Sequence, residues 1–207
     1  MLLVSLRINP IIRMLVLSDF FMLAGIGFLG PILPIFIATG IEGGSVKTAG
    51  FATAIYMVMW ILQIPIGWFI DRHDGDRDDF IFLIVGAFIT TAALFLFTVA
   101  EYPWHIYAIQ ALAGLGRAVD LPAWYSLFTR GIDKKREGLE WGVENVTVAL
   151  AVGTVGALSG LITEAYGFRT LFLVAGFTAL VGTVVLVLLY HSVFAEKISA
   201  DIKTDDK

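Results

Sequence analysis

Six apolar stretches, 14–38, 48–70, 80–99, 104–129, 141–163 and 169–191, leave this chain of 207 residues almost nothing from which to build a soluble domain. A helix needs roughly 20 mainly apolar residues to cross a bilayer, and each stretch has them. The mean hydropathy of +0.85 and the 58% share of hydrophobic residues agree, since soluble domains stay nearer about half apolar. Backbone in hydrocarbon must satisfy its own hydrogen bonds, which a helix does within one segment. The sequence predicts an all-α, multi-pass membrane protein in a lipid bilayer: a lead-in over 1–13, a six-helix bundle over 14–191 and a polar tail over 192–207.

The net charge of −4 says less than where the basic residues fall. With the first helix running outward, one side carries Arg7, Arg13, Arg72, Arg77, Arg130, Lys134, Lys135, Arg136, Lys197, Lys203 and Lys207, and the other only Lys47 and Arg169. Both termini are therefore expected on the cytoplasmic side of the cell (inner) membrane. The absence of cysteine excludes a disulfide framework and thiolate metal sites. No basic patch with interleaved aromatics points to nucleic acid, and no metal or cofactor set is expected. An intramembrane serine protease needs a serine with a histidine base, yet Ser159 has no such partner, since His73, His105 and His191 all fall at span ends. Nor is there a pair of Asn-Pro-Ala half-helix motifs, as a water channel requires; Asn9-Pro10-Ile11 is alone and outside the spans. The expectation is a protein that is not an enzyme.

Polar residues inside the spans are the functional candidates, because a charge at the bilayer centre costs about 2.5–3.5 kcal/mol or more. The fourth span holds Gln110, Gly114, Gly116, Arg117, Asp120 and Pro122, with Arg117 near the midplane. A guanidinium there must face protein or a water-filled cavity, most simply paired with Asp120 three residues on. Asp19 in the first span either lies deep or reaches water at the interface, and Glu144 with Asn145 opens the fifth. Spans three and six are nearly featureless and are expected to face lipid. Gly30, Pro31 and Pro34 should break the outer third of the first span, and Pro65 should kink the second.

Between spans two and three lies Gly67-Trp68-Phe69-Ile70-Asp71-Arg72, running into His73-Asp74-Gly75-Asp76-Arg77. This resembles the loop motif Gly-x-x-x-Asp-Arg/Lys-x-Gly-Arg/Lys-Arg/Lys of major facilitator superfamily transporters. Gly67, Asp71 and Arg72 fit it, whereas Gly75 comes one residue late and Asp76, Arg77 and Asp78 replace a mostly basic run. Gly114-Leu115-Gly116 followed by Pro122 is similar to the superfamily's fourth helix, with Gln110 where an arginine is usual. Gly153, Gly156, Ala157, Ser159 and Gly160 resemble its fifth-helix motif, with Ala157 in place of the proline associated with antiporters. Gly160-Leu161-Ile162-Thr163-Glu164 also repeats the spacing of Gly67 to Asp71, and Gly167 with Arg169 echoes Gly75 with Arg77. Spans 1–3 and 4–6 thus read as two copies of a three-helix unit, inserted with opposite topology because three is odd.

The resemblance implies the six-helix half of a secondary active transporter that moves a small solute, with or without a coupling proton, by alternating access. In that picture Arg117, Asp120, Gln110, Glu144, Asn145 and Asp19 are candidates for the substrate or proton site. Gly67, Asp71, Arg72, Gly75 and Arg77 would form a cytoplasmic gate, and Gly114, Gly116, Gly153, Gly156 and Gly160 would pack helices. A complete member has two such halves. Either two copies pair as a homodimer or the chain is one part of a longer reading frame, and its start and polar tail slightly favour a complete chain. The competing expectation is a non-transporting membrane scaffold, or a half-transporter subunit needing a different partner.

Overall fold

The computed structural model describes residues 9–72 and 75–205, with side chains as far as Val193; these residues are mostly helical and contain no strand. Arg7 of the lead-in, His73 and Asp74 in the middle of the charged turn, and Lys207 lie outside them. Helix α1 (Pro10–Gly27) starts under Asn9, whose side chain accepts from the Ile11 amide. Proline at the first helical position loses no hydrogen bond, because that N–H would have no partner anyway. Residues 10–13, expected in the lead-in, are therefore helical: cap and proline start the helix before the apolar run begins. The helix stops at Gly27 and resumes as α2 (Leu33–Thr39), with Gly30 and Pro31 in the interruption.

Ser45 caps α3 (Val46–Met59) by accepting from the Thr48 amide at 3.1 Å. A 3-10 turn over Trp60–Leu62 joins it to α4 (Gln63–Arg72). Pro65 has no N–H to offer the Ile61 carbonyl, and the tighter turn lies where that bond is missing. Next come α5 (Asp76–Leu96), continued by a 3-10 turn over Phe97–Val99, and α6 (Pro103–Gly131), which keeps Pro122 inside it. The last helical trace, α7 (Glu137–Asp205), is broken at Gly167, where φ is 80° and ψ is 169°. That left-handed φ suits glycine and divides the trace into helices over 137–166 and 168–205. The second runs on through the residues expected as a polar tail, a stretch with good helix formers such as Ala195, Glu196 and Lys197.

Among the described residues, three helical stretches are long and apolar enough to cross a membrane: Val46–Arg72, Asp76–Val99 and Glu137–Val193. Unbroken, the last would reach roughly 85 Å, far beyond a hydrocarbon core of about 30 Å. Its break is thus also a physical necessity if it lies in a bilayer. Helix α1 packs against both parts of α7, and α6 packs against α5 and α3. A Cβ at Gly182 would stand 2.6 Å from the Ser18 carbonyl oxygen, and one at Gly86 would stand 2.5 Å from the Asp120 amide nitrogen. Small residues let backbones approach in lipid, where there is no hydrophobic force between helices.

The third span is not wholly lipid-facing as expected. Leu83, Gly86, Ala87, Thr90, Thr91 and Leu94 are buried, while Ile81, Val85 and Phe88 on its other side are exposed. Thr91 shares a hydrogen bond with Thr183 of the last helix at 3.0 Å, so its hydroxyl joins two helices rather than returning to its own backbone. Gly86→Val is expected to cost about 1–3 kcal/mol by overpacking and to lower the melting temperature in detergent. Gly153→Val, with nothing within 4 Å of an added Cβ, should leave that temperature nearly unchanged when both are measured by differential scanning fluorimetry.

Candidate functional site

Arg117 and Asp120 stand one turn apart on α6 and share a face. The Arg117 guanidinium donates from Nη1 to Asp120 Oδ2 at 3.0 Å, with the residues 8% and 2% exposed. Neighbouring helices approach closely around them. Gly86 of α5 brings its helix onto the Asp120 amide, and Gly116 meets Thr90. The Tyr56 carbonyl of α3 lies 2.5 Å from where a Cβ on Gly114 would be. The glycines thus bring two neighbouring helices over the charge pair.

Two further carboxyl groups join from other helices. Asp19 of α1 lies within electrostatic reach of both Arg117 and Asp120. Glu144 of α7 faces Asp19 carboxyl to carboxyl and is 4% exposed. Glu144 Oε2 and Asp120 Oδ1 are buried with no hydrogen-bond partner among the described residues. Tyr56 interacts electrostatically with Arg117 from α3, and its ring stands edge-on to Trp60 at 5.7 Å. Four of the six sequence candidates therefore meet: Asp19, Arg117, Asp120 and Glu144.

The other two stand apart. Gln110, 7% exposed, lines a mostly apolar cavity of about 190 Å³ together with Thr53, Tyr56, Thr90 and Leu94. Tyr56 is common to that cavity and the charge cluster. Asn145 is exposed. Among the glycines, Gly114 and Gly116 sit at close helix contacts, whereas Gly153, Gly156 and Gly160 have no atom within 4 Å of an added Cβ.

At the basic end of the bundle the charged turn is arranged differently from its motif. Asp71, Arg72 and Arg77 are exposed, and the Arg72 guanidinium lies over the Trp68 ring at 3.8 Å. Gly75 is the N-cap of α5 in extended backbone, and a Cβ on Gly67 would meet Pro122 Cβ at 3.8 Å. One buried acid here is Asp79, which is ion-paired with Arg130 from the last turn of α6. Arg130 also approaches Asp76 at 3.5 Å and donates to Ser126 at 2.8 Å. Acids in a first helical turn and a cation in a last turn each suit the helix dipole, and this was the sequence signal for the pair. Beside it Trp124 stacks on Phe128 at 4.6 Å, and Trp141 closes on Phe128 at 4.7 Å. Glu140, in the first turn of α7, is also buried here. No group of three or more metal-ligating side chains is arranged for a metal ion among the described residues.

Comparison with known proteins matches residues 15–204 to the Major Facilitator Superfamily model. An uncharacterized MFS-type transporter of Methanocaldococcus jannaschii is 23% identical over 173 residues, 82% of this chain and 42% of its own length. An uncharacterized MFS-type transporter of Pseudomonas aeruginosa is 29% identical over 103 residues, 50% of this chain and 26% of its own. A putative glycerol-3-phosphate transporter 2 of Arabidopsis thaliana is 32% identical over 114 residues, 51% of this chain and 22% of its own. The chain thus spans less than half the length of these relatives.

Removing one partner of a buried ion pair strands the other charge, at a cost of about 3–5 kcal/mol. Arg117→Met alone should therefore lose most of its folded yield in membranes. The double variant Arg117→Met/Asp120→Leu should recover it, as read by the monodisperse fraction on size exclusion.

Proposed function

The chain belongs to the major facilitator superfamily, and we propose that it carries a small solute across the membrane as a secondary active transporter working by alternating access. At the family level this is a transporter rather than an enzyme, and an integral membrane protein. The observation that carries the proposal is the meeting of Asp19, Arg117, Asp120 and Glu144 in the interior of an apolar helical bundle. Charged groups inside membrane spans are costly, and they persist where they bind or relay something. In this reading Arg117, Asp120, Asp19 and Glu144 hold the polar part of the solute or a coupling proton, with Gln110 in the neighbouring cavity and Asn145 as a more exposed candidate.

The proposed architecture has six spans in two inverted three-helix repeats, with both termini cytoplasmic. Gly67, Asp71, Arg72, Gly75 and Arg77 act at the cytoplasmic gate, where Asp71 accepts hydrogen bonds from a helix N-terminus of a second six-helix unit. That unit is a second copy of this chain or another half. Supporting the need for it, the span Val46–Arg72 is mostly exposed, and Gly153, Gly156 and Gly160 lie on an uncovered face. The shortness of the chain beside its relatives supports it as well. The second reading, a subunit that only packs against a partner, has in its favour that Arg117 and Asp120 are already ion-paired with one another.

Two measurements test the proposal. A transported solute binds the folded state, so at 100 times its dissociation constant it should stabilise the protein by about 2.7 kcal/mol. A solute screen read by thermal shift that raises the melting temperature of no preparation, dimer or complex, would favour the packing subunit. Asp71→Ala is expected to reduce uptake into proteoliposomes at least tenfold while membrane insertion stays intact; loss of insertion instead would assign Asp71 a structural role.

A further inference from the structure

The cavity beside the interruption of α1 differs in chemistry from the charged cluster. Helix α1 stops at Gly27 and the chain is helical again from Leu33, so Leu29, Gly30 and Pro34 form one wall facing α3, α5 and α6. The rim is exposed at Gly30, Pro34 and Thr53, while Leu94 and Phe97 close the inner side and are buried. No charged side chain lines this space among the described residues. Two of its hydroxyls are turned elsewhere. Thr53 returns its proton to the Ala49 carbonyl at 3.1 Å, and Thr90 Oγ1 is buried against Gly116. Gln110 is the exception. It is buried and lines the cavity, and no hydrogen bond joins its carboxamide to any other described residue. A buried amide without partners is costly, and this one offers donors on Nε2 and an acceptor on Oε1 side by side.

We propose that this cavity binds a small neutral amide, with the ligand's C=O accepting from Gln110 Nε2 and its N–H donating to Gln110 Oε1. The inference goes beyond the transporter reading and does not depend on it, because a carried solute and a retained ligand would meet the same walls. Four arguments select the class. A carboxylate or ammonium would lose its hydration where no counter-charge lines the wall. A hydrocarbon, including a lipid acyl chain, would fill the space and leave the carboxamide unpaired. An alcohol can make only one of the two bonds at a time through its single O–H. Water needs about two to four polar partners per molecule, and away from Gln110 the walls are mainly apolar. The volume of about 190 Å³ sets the size. A dry cavity of about 150 Å³ accepts benzene, so this one has room for a single ring carrying a carboxamide. Tyr56 and Phe97 supply aromatic walls for that ring.

The test uses the full chain in nanodiscs, with benzamide as probe and benzoate and toluene as its charged and apolar counterparts. Equilibrium dialysis against empty nanodiscs subtracts partitioning into the bilayer. The expected result is saturable binding of benzamide, at least tenfold tighter than that of either counterpart. Gln110→Leu replaces an unpartnered polar group in an apolar setting and should fold. It should weaken benzamide binding at least tenfold and leave toluene binding equal or tighter, a reversal of preference that a general loss of structure would not produce. Should the variant fail to fold, the ranking of the three ligands on the unmodified protein still decides. Toluene bound as tightly as benzamide would make this a plain apolar cavity, and benzoate bound more tightly would make it an anion site; either overturns the inference. So do benzamide binding that Gln110→Leu leaves unchanged and the absence of saturable benzamide binding, the result expected if acyl chains occupy the cavity.

Discussion

An ionised side chain has almost no stabilising neighbour inside a hydrocarbon slab, and that constraint governs how this bundle is built around Arg117. The guanidinium cannot titrate away, so it needs a permanent counter-charge and cover from lipid. Asp120 supplies the charge from the next turn of the same helix. The cover has to come from other helices, and small residues let those helices come close. Gly86 and Gly116 bring α5 against α6, and Gly114 brings α3 against it. Had these positions carried even a methyl group, the helices would stand further apart around the pair. The glycines of the fourth span are thus part of the electrostatics, because they set how little polarizable space surrounds the charge.

The same logic separates the two ends of α6. At the basic end, Arg130 reaches Asp79, itself fully buried, while also touching Asp76 and Ser126. Here the arginine remains half-exposed, so its charge is partly solvated and a local ion pair suffices. The aromatic group of Trp124, Phe128 and Trp141 fills the neighbouring space. One arginine is held by burial and the other by solvent and a network. Only the interior one stands beside acids in excess of what it can neutralise.

The apolar length of the segments, the break after Gly27 and the pairing of Arg117 with Asp120 follow from rules that act within one helix, and so were legible in the sequence. Membership of the superfamily was legible from Gly67, Asp71, Arg72 and the glycines of the fourth span, since close packing and a charged turn leave a spacing behind. What was not legible lies between helices. In lipid the buried and the exposed face of a span are both apolar, so nothing in 80–99 announced that Leu83 and Ala87 are buried while Val85 and Phe88 are exposed. Tyr56 looked like any span aromatic until α3 was seen against α6. Asp79 is one of three acids in the first turn of α5, and which of them is buried against Arg130 depends on the helical phase relative to α6. That helix continues into the lead-in and the tail has a simpler reason: caps and helix formers extend helices past the end of an apolar run.

The faces left open are not equivalent. Exposed Ile81, Val85 and Phe88 on α5 are large and apolar, which suits acyl chains as neighbours. Gly153, Gly156 and Gly160 form a smooth strip that offers lipid little contact area, yet would let another backbone approach closely. On the same helix as that strip, toward its start, stands Glu144, buried beside Asp19. Glu144 shares its face with the buried Ala151, Val155 and Ser159, on the side of the helix away from the strip. A second six-helix unit seated on the strip would therefore pack against the outer face of this helix, while the carboxyl cluster stays enclosed by the helices of this chain.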